Sequence, residues 1–132
     1  MKIRTLILAV AQIAILHSAY AAGATLNFVD LADGATVTSP FKVKFDVKGM
    51  EVKPAGDMTV GTGHHHLLIN AEALKEGESV PFDETHLHFG KGQTETELKL
   101  APGKYKLTLQ FANGAHQSYG PQASKSINIT VK

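Results

Sequence analysis

The stretch Phe41-Lys42-Val43-Lys44-Phe45-Asp46-Val47-Lys48 decides the fold class. Successive side chains on a β-strand point to opposite faces. Phe41, Val43, Phe45 and Val47 therefore share one face, and Lys42, Lys44, Asp46 and Lys48 the other. A helix would scatter both sets around its circumference. The pattern predicts a strand with one buried and one wet face, as antiparallel sheets commonly have.

The same period recurs outward from this stretch. Tyr105, Leu107, Leu109 and Phe111 line one face of the strongest run, with Lys106, Thr108 and Gln110 between them. Leu26 and Phe28 alternate near the start, Thr96, Leu98 and Leu100 oppose Glu95, Glu97 and Lys99, and Ile127, Ile129 and Val131 close the chain. Two histidine-bearing apolar segments complete about seven short strands, separated by turn signals at Asp33-Gly34, Pro102-Gly103 and Asn113-Gly114. With no amphipathic helix of useful length, the expectation is an all-β fold, a small antiparallel immunoglobulin-like β-sandwich. Tyr105, entering its strand after Pro102-Gly103, is either a tyrosine corner bonded to nearby backbone or a core aromatic with a wet tip. Residues 49–63 and 70–84 read as long loops, and Ala71–Lys75 can form a helical turn limited by Gly77 and Pro81.

Ahead of the strands, Lys2 and Arg4 flank an apolar run from Leu6 to Leu16, followed by the small-residue site Ala19-Tyr20-Ala21. This predicts an N-terminal signal helix over residues 1–21, cleaved after Ala21, and a single domain over residues 22–132. The product is expected to be periplasmic or secreted, with no membrane span after cleavage, because the apolar run falls short of the ~20 residues a spanning helix needs. Losing Lys2 and Arg4 leaves eleven basic residues, all lysine, against twelve acidic ones, a formal charge near −1. No basic stripe and no arginine remain, which argues against nucleic acid as a partner. Cysteine is absent, which excludes disulfides, blue-copper sites and cysteine-bound zinc.

The concentrated chemical resource is histidine. Gly61-Thr62-Gly63-His64-His65-His66-Leu67-Leu68-Ile69 and Thr85-His86-Leu87-His88-Phe89-Gly90 each place histidines two apart, on one face of a strand and roughly 7 Å apart at the backbone. In the second segment, Leu87 and Phe89 seek the core and leave His86 and His88 on the other face. In the first, the register is open. With Leu67 and Ile69 inward, His65 faces the core and His64 and His66 face away; with Leu68 inward, the assignment reverses. His116 lies in the loop after the strongest strand and is a further candidate. The candidate metal ligands are thus His64, His66, His86, His88, His116 and His65, with Asp83 and Glu84 as acceptors that can fix a histidine tautomer. Met50 and Met58 can supply thioethers, although packing is the commoner role. A set of imidazoles without sulfur suits copper or zinc, with copper favoured and zinc the alternative. The function expected is metal buffering, delivery or sensing. A non-catalytic envelope interaction domain with pH-responsive histidines is the alternative, and a metal-dependent enzyme a third class.

The stretches Ser39-Pro40-Phe41-Lys42-Val43-Lys44-Phe45, Pro54-Ala55-Gly56, Thr62-Gly63-His64-His65-His66-Leu67-Leu68-Ile69, Glu84-Thr85-His86-Leu87-His88-Phe89-Gly90-Lys91-Gly92-Gln93-Thr94-Glu95 and Pro102-Gly103-Lys104 resemble the DUF4399 family of exported bacterial domains. The resemblance covers nearly all of the chain after residue 21. It implies a fold and a lineage and carries no established activity. Members of the family are more histidine-rich where this chain has Asn113–Pro121, which here keeps only His116. His86-Leu87-His88-Phe89-Gly90 is also similar to a strand motif of copper-zinc superoxide dismutases, but the cysteine pair and the arginine expected there are missing after residue 21.

Overall fold

The structure, a computed structural model, describes residues 23–132; the expected signal segment over residues 1–21 lies outside the described residues. Nine strands follow in order: β1 Thr25–Val29, β2 Ala35–Val37, β3 Phe41–Lys48, β4 Glu51–Val52, β5 Thr62–Ile69, β6 His86–His88, β7 Glu95–Leu98, β8 Gly103–Ala112 and β9 Ser124–Val131. They form two sheets. One holds β1-β3-β7, and the other runs β2-β9-β8-β5-β4, with β6 also paired to β5. No helix among the described residues is long and apolar enough to cross a membrane.

The sandwich expected from the alternating runs is present, and β3 is its clearest strand. Phe41, Val43 and Phe45 are buried and Lys42 and Lys44 are exposed. β3 pairs antiparallel with β1, Phe28 opposite Phe45, and with β7, Phe41 opposite Leu98. Facing it across the core are Leu67 and Ile69 of β5, Leu107, Leu109 and Phe111 of β8, and Ile127, Ile129 and Val131 of β9. Each such side chain taken out of water contributes roughly 1.5–3 kcal/mol, which makes this interior the main source of stability in a chain without disulfides. The Tyr105 hydroxyl donates to the Ala101 carbonyl at 2.7 Å, which is the tyrosine-corner arrangement.

Nine strands stand where about seven were expected. The additional two, β2 and β4, span three and two residues, too few to display a period. Both pair in parallel, β2 with β9 and β4 with β5, whereas the long pairings are antiparallel. β4 thus lies inside the segment expected to be loop throughout. Ala71–Lys75 forms no helical turn; instead the Leu74 N–H is taken by the Gln110 side chain at 2.9 Å.

The six-stranded sheet is covered on its outer face as well. Leu68, Leu74, Val80 and Ala112 form a second apolar cluster there. Residues 77–80 run beside residues 116–118, bonded through Gly77 N–H to Ser118 O, Ser118 N–H to Glu78 O and Val80 N–H to His116 O at 2.8–2.9 Å. Gln110, on the face of β8 that alternation alone would leave wet, is fully buried beneath this layer. Its amide oxygen accepts from Leu74 N–H and its amide nitrogen donates to the Gly120 and Ala123 carbonyls. Gln110→Ala would leave these buried groups unpaired, at a cost of about 1–3 kcal/mol for each unmet group. We expect urea denaturation of that variant to show a loss of roughly 2–4 kcal/mol; a change below about 0.5 kcal/mol would mean that the layer is held by other contacts.

Candidate metal centre

Every residue of β5 is buried, so its side chains face protein in both directions. Leu67 and Ile69 join the core between the sheets, and His65 shares their face. His64, His66 and Leu68 occupy the outer face. Register then brings the other groups alongside: His66 lies directly between His88 of β6 and Gln110 of β8, and Leu68 between His86 and Thr108. Gly63 opens this run because a Cβ at that position would collide with the Ala112 carbonyl and the Phe111 ring.

The remaining histidine arrives from the covering layer. His116 adopts a left-handed backbone with φ of 61°, a conformation in which histidine is tolerated better than most residues. Asn113 builds the turn that holds it there. Its side-chain oxygen accepts from Ala115 N–H at 2.9 Å and Gln117 N–H at 3.0 Å, while its carbonyl accepts from His116 N–H at 2.9 Å. The imidazole is thereby folded back over β5.

Three ring nitrogens converge on His116 Nδ1: His64 Nε2 at 3.0 Å, His66 Nε2 at 3.3 Å and His88 Nδ1 at 3.1 Å. A ring nitrogen offers either one N–H or one lone pair. One nitrogen therefore cannot make good hydrogen bonds with all three neighbours. It can share a cation with His64 and His66: nitrogens bound at 2.0–2.1 Å to one tetrahedral ion stand roughly 3.3 Å apart. The coordinating nitrogens of His64, His66 and His116 all lie within 4.8 Å of one another, and this triad can hold a metal ion. His64 and His66 are fully buried and His116 is half-buried, so the set opens toward solvent on the His116 side.

The surroundings keep the imidazoles neutral. Burial, and then the neighbouring His116 and His88, push His64 down to about 4. Burial dominates again for His66, pushed to about 2 with His64, His88 and His116 adding repulsion. His116 is also lowered, first by burial and then by His88. A neutral imidazole is the form that binds a metal.

The six candidate histidines divide. His64, His66 and His116 form the triad and His88 touches it. His86 lies outside: its Nδ1 donates to the Asp83 carboxylate at 2.7 Å, so Asp83 is an acceptor for a histidine beyond the triad, and Asp83 and Glu84 are both exposed. His65 points into the core, 4.8 Å from the Phe45 ring and 5.2 Å from Phe111 by ring centroids. Neither of its nitrogens has a hydrogen-bond partner. Met50 is buried in the core and Met58 is exposed. The groups unforeseen from the sequence are Gln110, which alternation placed in water, and Phe82, an aromatic in a polar loop that stacks on His88 with ring centroids 3.7 Å apart.

The sequence profile of a family described as a domain of unknown function, DUF4399, matches residues 43–132, which contain all of these histidines. No curated protein matches the chain.

Burial, with a smaller contribution from His64, holds His65 at about 4, against about 6.5 when unfolded. Between those values the unfolded chain takes up a proton that the folded one refuses, so folding stability falls as pH drops from about 6.5 to about 4. His65→Leu removes the unpartnered nitrogens and this proton linkage. Denaturation of the metal-free variant is expected to show a gain of about 1–2 kcal/mol at neutral pH, larger at pH 5. Equal stability loss on acidification in variant and wild type would show that His65 is not a source of the pH dependence.

Proposed function

The chain belongs to the DUF4399 family, and from that premise we propose that it is an exported copper-binding protein that buffers, delivers or senses the ion. The observation that carries this proposal is the approach of three ring nitrogens to His116 Nδ1 at 3.0–3.3 Å, an arrangement that hydrogen bonding cannot satisfy and a cation can. Export is supported by the basic, apolar and small-residue pattern of residues 1–21, which also delimits the domain proposed over residues 22–132.

Copper is preferred to zinc on the chemistry of the donor set. Imidazole suits both ions, and for a given nitrogen site Cu(II) binds more tightly than Zn(II) in the general order of divalent metals. Thiolate is absent, and no carboxylate belongs to the triad, so the hard oxygen environment that calcium and magnesium require is not offered. The depressed values of His64 and His66 keep both rings neutral well below pH 6. This favours metal retention on mild acidification, and gives little support to these two rings as a pH switch in the physiological range.

Metal-free protein lacking residues 1–21 is to be titrated with Cu(II), Cu(I) and Zn(II) by competition with chromophoric chelators. We expect one ion per chain, submicromolar affinity for at least copper, and a loss of 100-fold or more in His66→Ala and in His116→Ala. His86→Ala should change affinity less than about threefold. Failure of all three ions to bind below micromolar, or equal losses at His86 and His66, would overturn the proposal.

A further inference from the structure

Pro81 and Phe82 form a short exposed strap between two anchored points. On one side, Val80 is buried in the outer apolar cluster and its N–H donates to the His116 carbonyl at 2.9 Å. On the other, the Asp83 carboxylate accepts from the Thr85 N–H and hydroxyl, each at 3.0 Å, and from His86 Nδ1 at 2.7 Å. The backbone between these anchors has little freedom to drift.

Phe82 is 73% exposed, the most exposed large apolar side chain among the described residues. A single exposed phenylalanine needs no explanation in itself. Its placement is what matters. The ring lies flat on His88, with centroids 3.7 Å apart and planes 9° apart, and meets His116 edge-on at 5.0 Å. It covers the side on which the triad opens.

The residue before it acts on the same imidazole. His88 Nε2 stands 2.6 Å from the Pro81 carbonyl, which has no proton to give. Nε2 therefore carries the hydrogen, which in the neutral ring leaves the lone pair on Nδ1, 3.1 Å from His116 Nδ1. No such control acts on His64, whose Nδ1 has no hydrogen-bond partner. A carbonyl acceptor on the distal nitrogen is the usual means by which a protein orients a metal-binding histidine.

We propose that the Pro81-Phe82 strap makes His88 the fourth and exchangeable ligand: the Pro81 carbonyl presets the His88 Nδ1 lone pair toward the triad, and the Phe82 ring shields that bond. The ion then enters and leaves on the His88 side, while His64 and His66 hold it from within the fold. Phe82 is a positioning residue with no donor atom of its own. The proposal rests on the metal reading, and its first test needs no metal.

Long-range proton–nitrogen correlation spectra of metal-free protein should show His88 protonated at Nε2 and bare at Nδ1. A His88 protonated at Nδ1 would overturn the proposal whether or not metal binds. The second test follows transfer of bound Cu(II) to excess EDTA by stopped flow. Phe82→Ala should keep one copper per chain and release it at least tenfold faster, and Phe82→Tyr, which keeps a flat ring, should release it within twofold of wild type. His88→Ala should still bind copper but with a shifted visible and EPR spectrum, and should take up added azide that wild type excludes. Unchanged release in Phe82→Ala, or a wild-type spectrum in His88→Ala, would overturn the proposal while leaving the triad standing; absence of copper binding by wild type would overturn both.

Discussion

Strand β5 has water on neither face, and the rest of the molecule is arranged to satisfy what that burial demands. An apolar strand would meet the condition by packing alone. This one carries three consecutive imidazoles, all without solvent exposure, and alternation sends them to both sides. On the inner side His65 is accommodated by aromatic rings and has no polar partner. On the outer side His64 and His66 need a cover, and residues 70–85 and 113–118 supply one. Gln110 holds the first segment from below through Leu74 and the chain just past the second through Gly120, and mutual backbone bonds join the two. The covering layer places His116 above the strand, so the demand for burial and the assembly of the triad are met by the same elements.

This arrangement separates the interactions that stabilise the fold from those that stabilise the site. The interior between the sheets is filled by Val43, Phe45, Leu67, Leu107, Leu109 and Phe111, and the outer histidines are not part of that cluster. The outer cluster is small, with Leu68, Leu74, Val80 and Ala112 at its centre, and it is crowded with neutral ring nitrogens whose hydrogen-bonding capacity is only partly used. A bound cation would take up the converging lone pairs and link β5 to the covering layer. Metal occupancy and the order of that layer are expected to be coupled for this reason.

The sandwich was legible because the sequence alternates with period two over all eight residues of β3 and over Tyr105–Phe111 of β8. β2 and β4 were not, since a strand of two or three residues is defined by its hydrogen bonds to a neighbour and not by its own side chains. The inward turn of Leu67 and Ile69 was one of two registers open from sequence, and burial in the core selects it. What sequence could not reach was the outer layer. Alternation treats Gln110 as a wet residue; its burial follows from loops that return over the sheet from about ten and thirty-six residues away. The same return brings His116 to His64 across fifty-two residues and leaves His86 bonded to Asp83. The first outcome has no local signal beyond Asn113-Gly114, which marks the turn that carries His116; the second is a contact across three residues, with Asp83 a candidate acceptor from the sequence.

X-ray absorption of copper-loaded protein lacking a histidine tag would tell a shell of ring nitrogens alone from any other. The expected result is a shell of three or four nitrogens at about 2.0 Å with imidazole outer-shell scattering. A sulfur scatterer near 2.3 Å, which would bring Met50 or Met58 into the shell, or a shell of oxygens without imidazole, would contradict it.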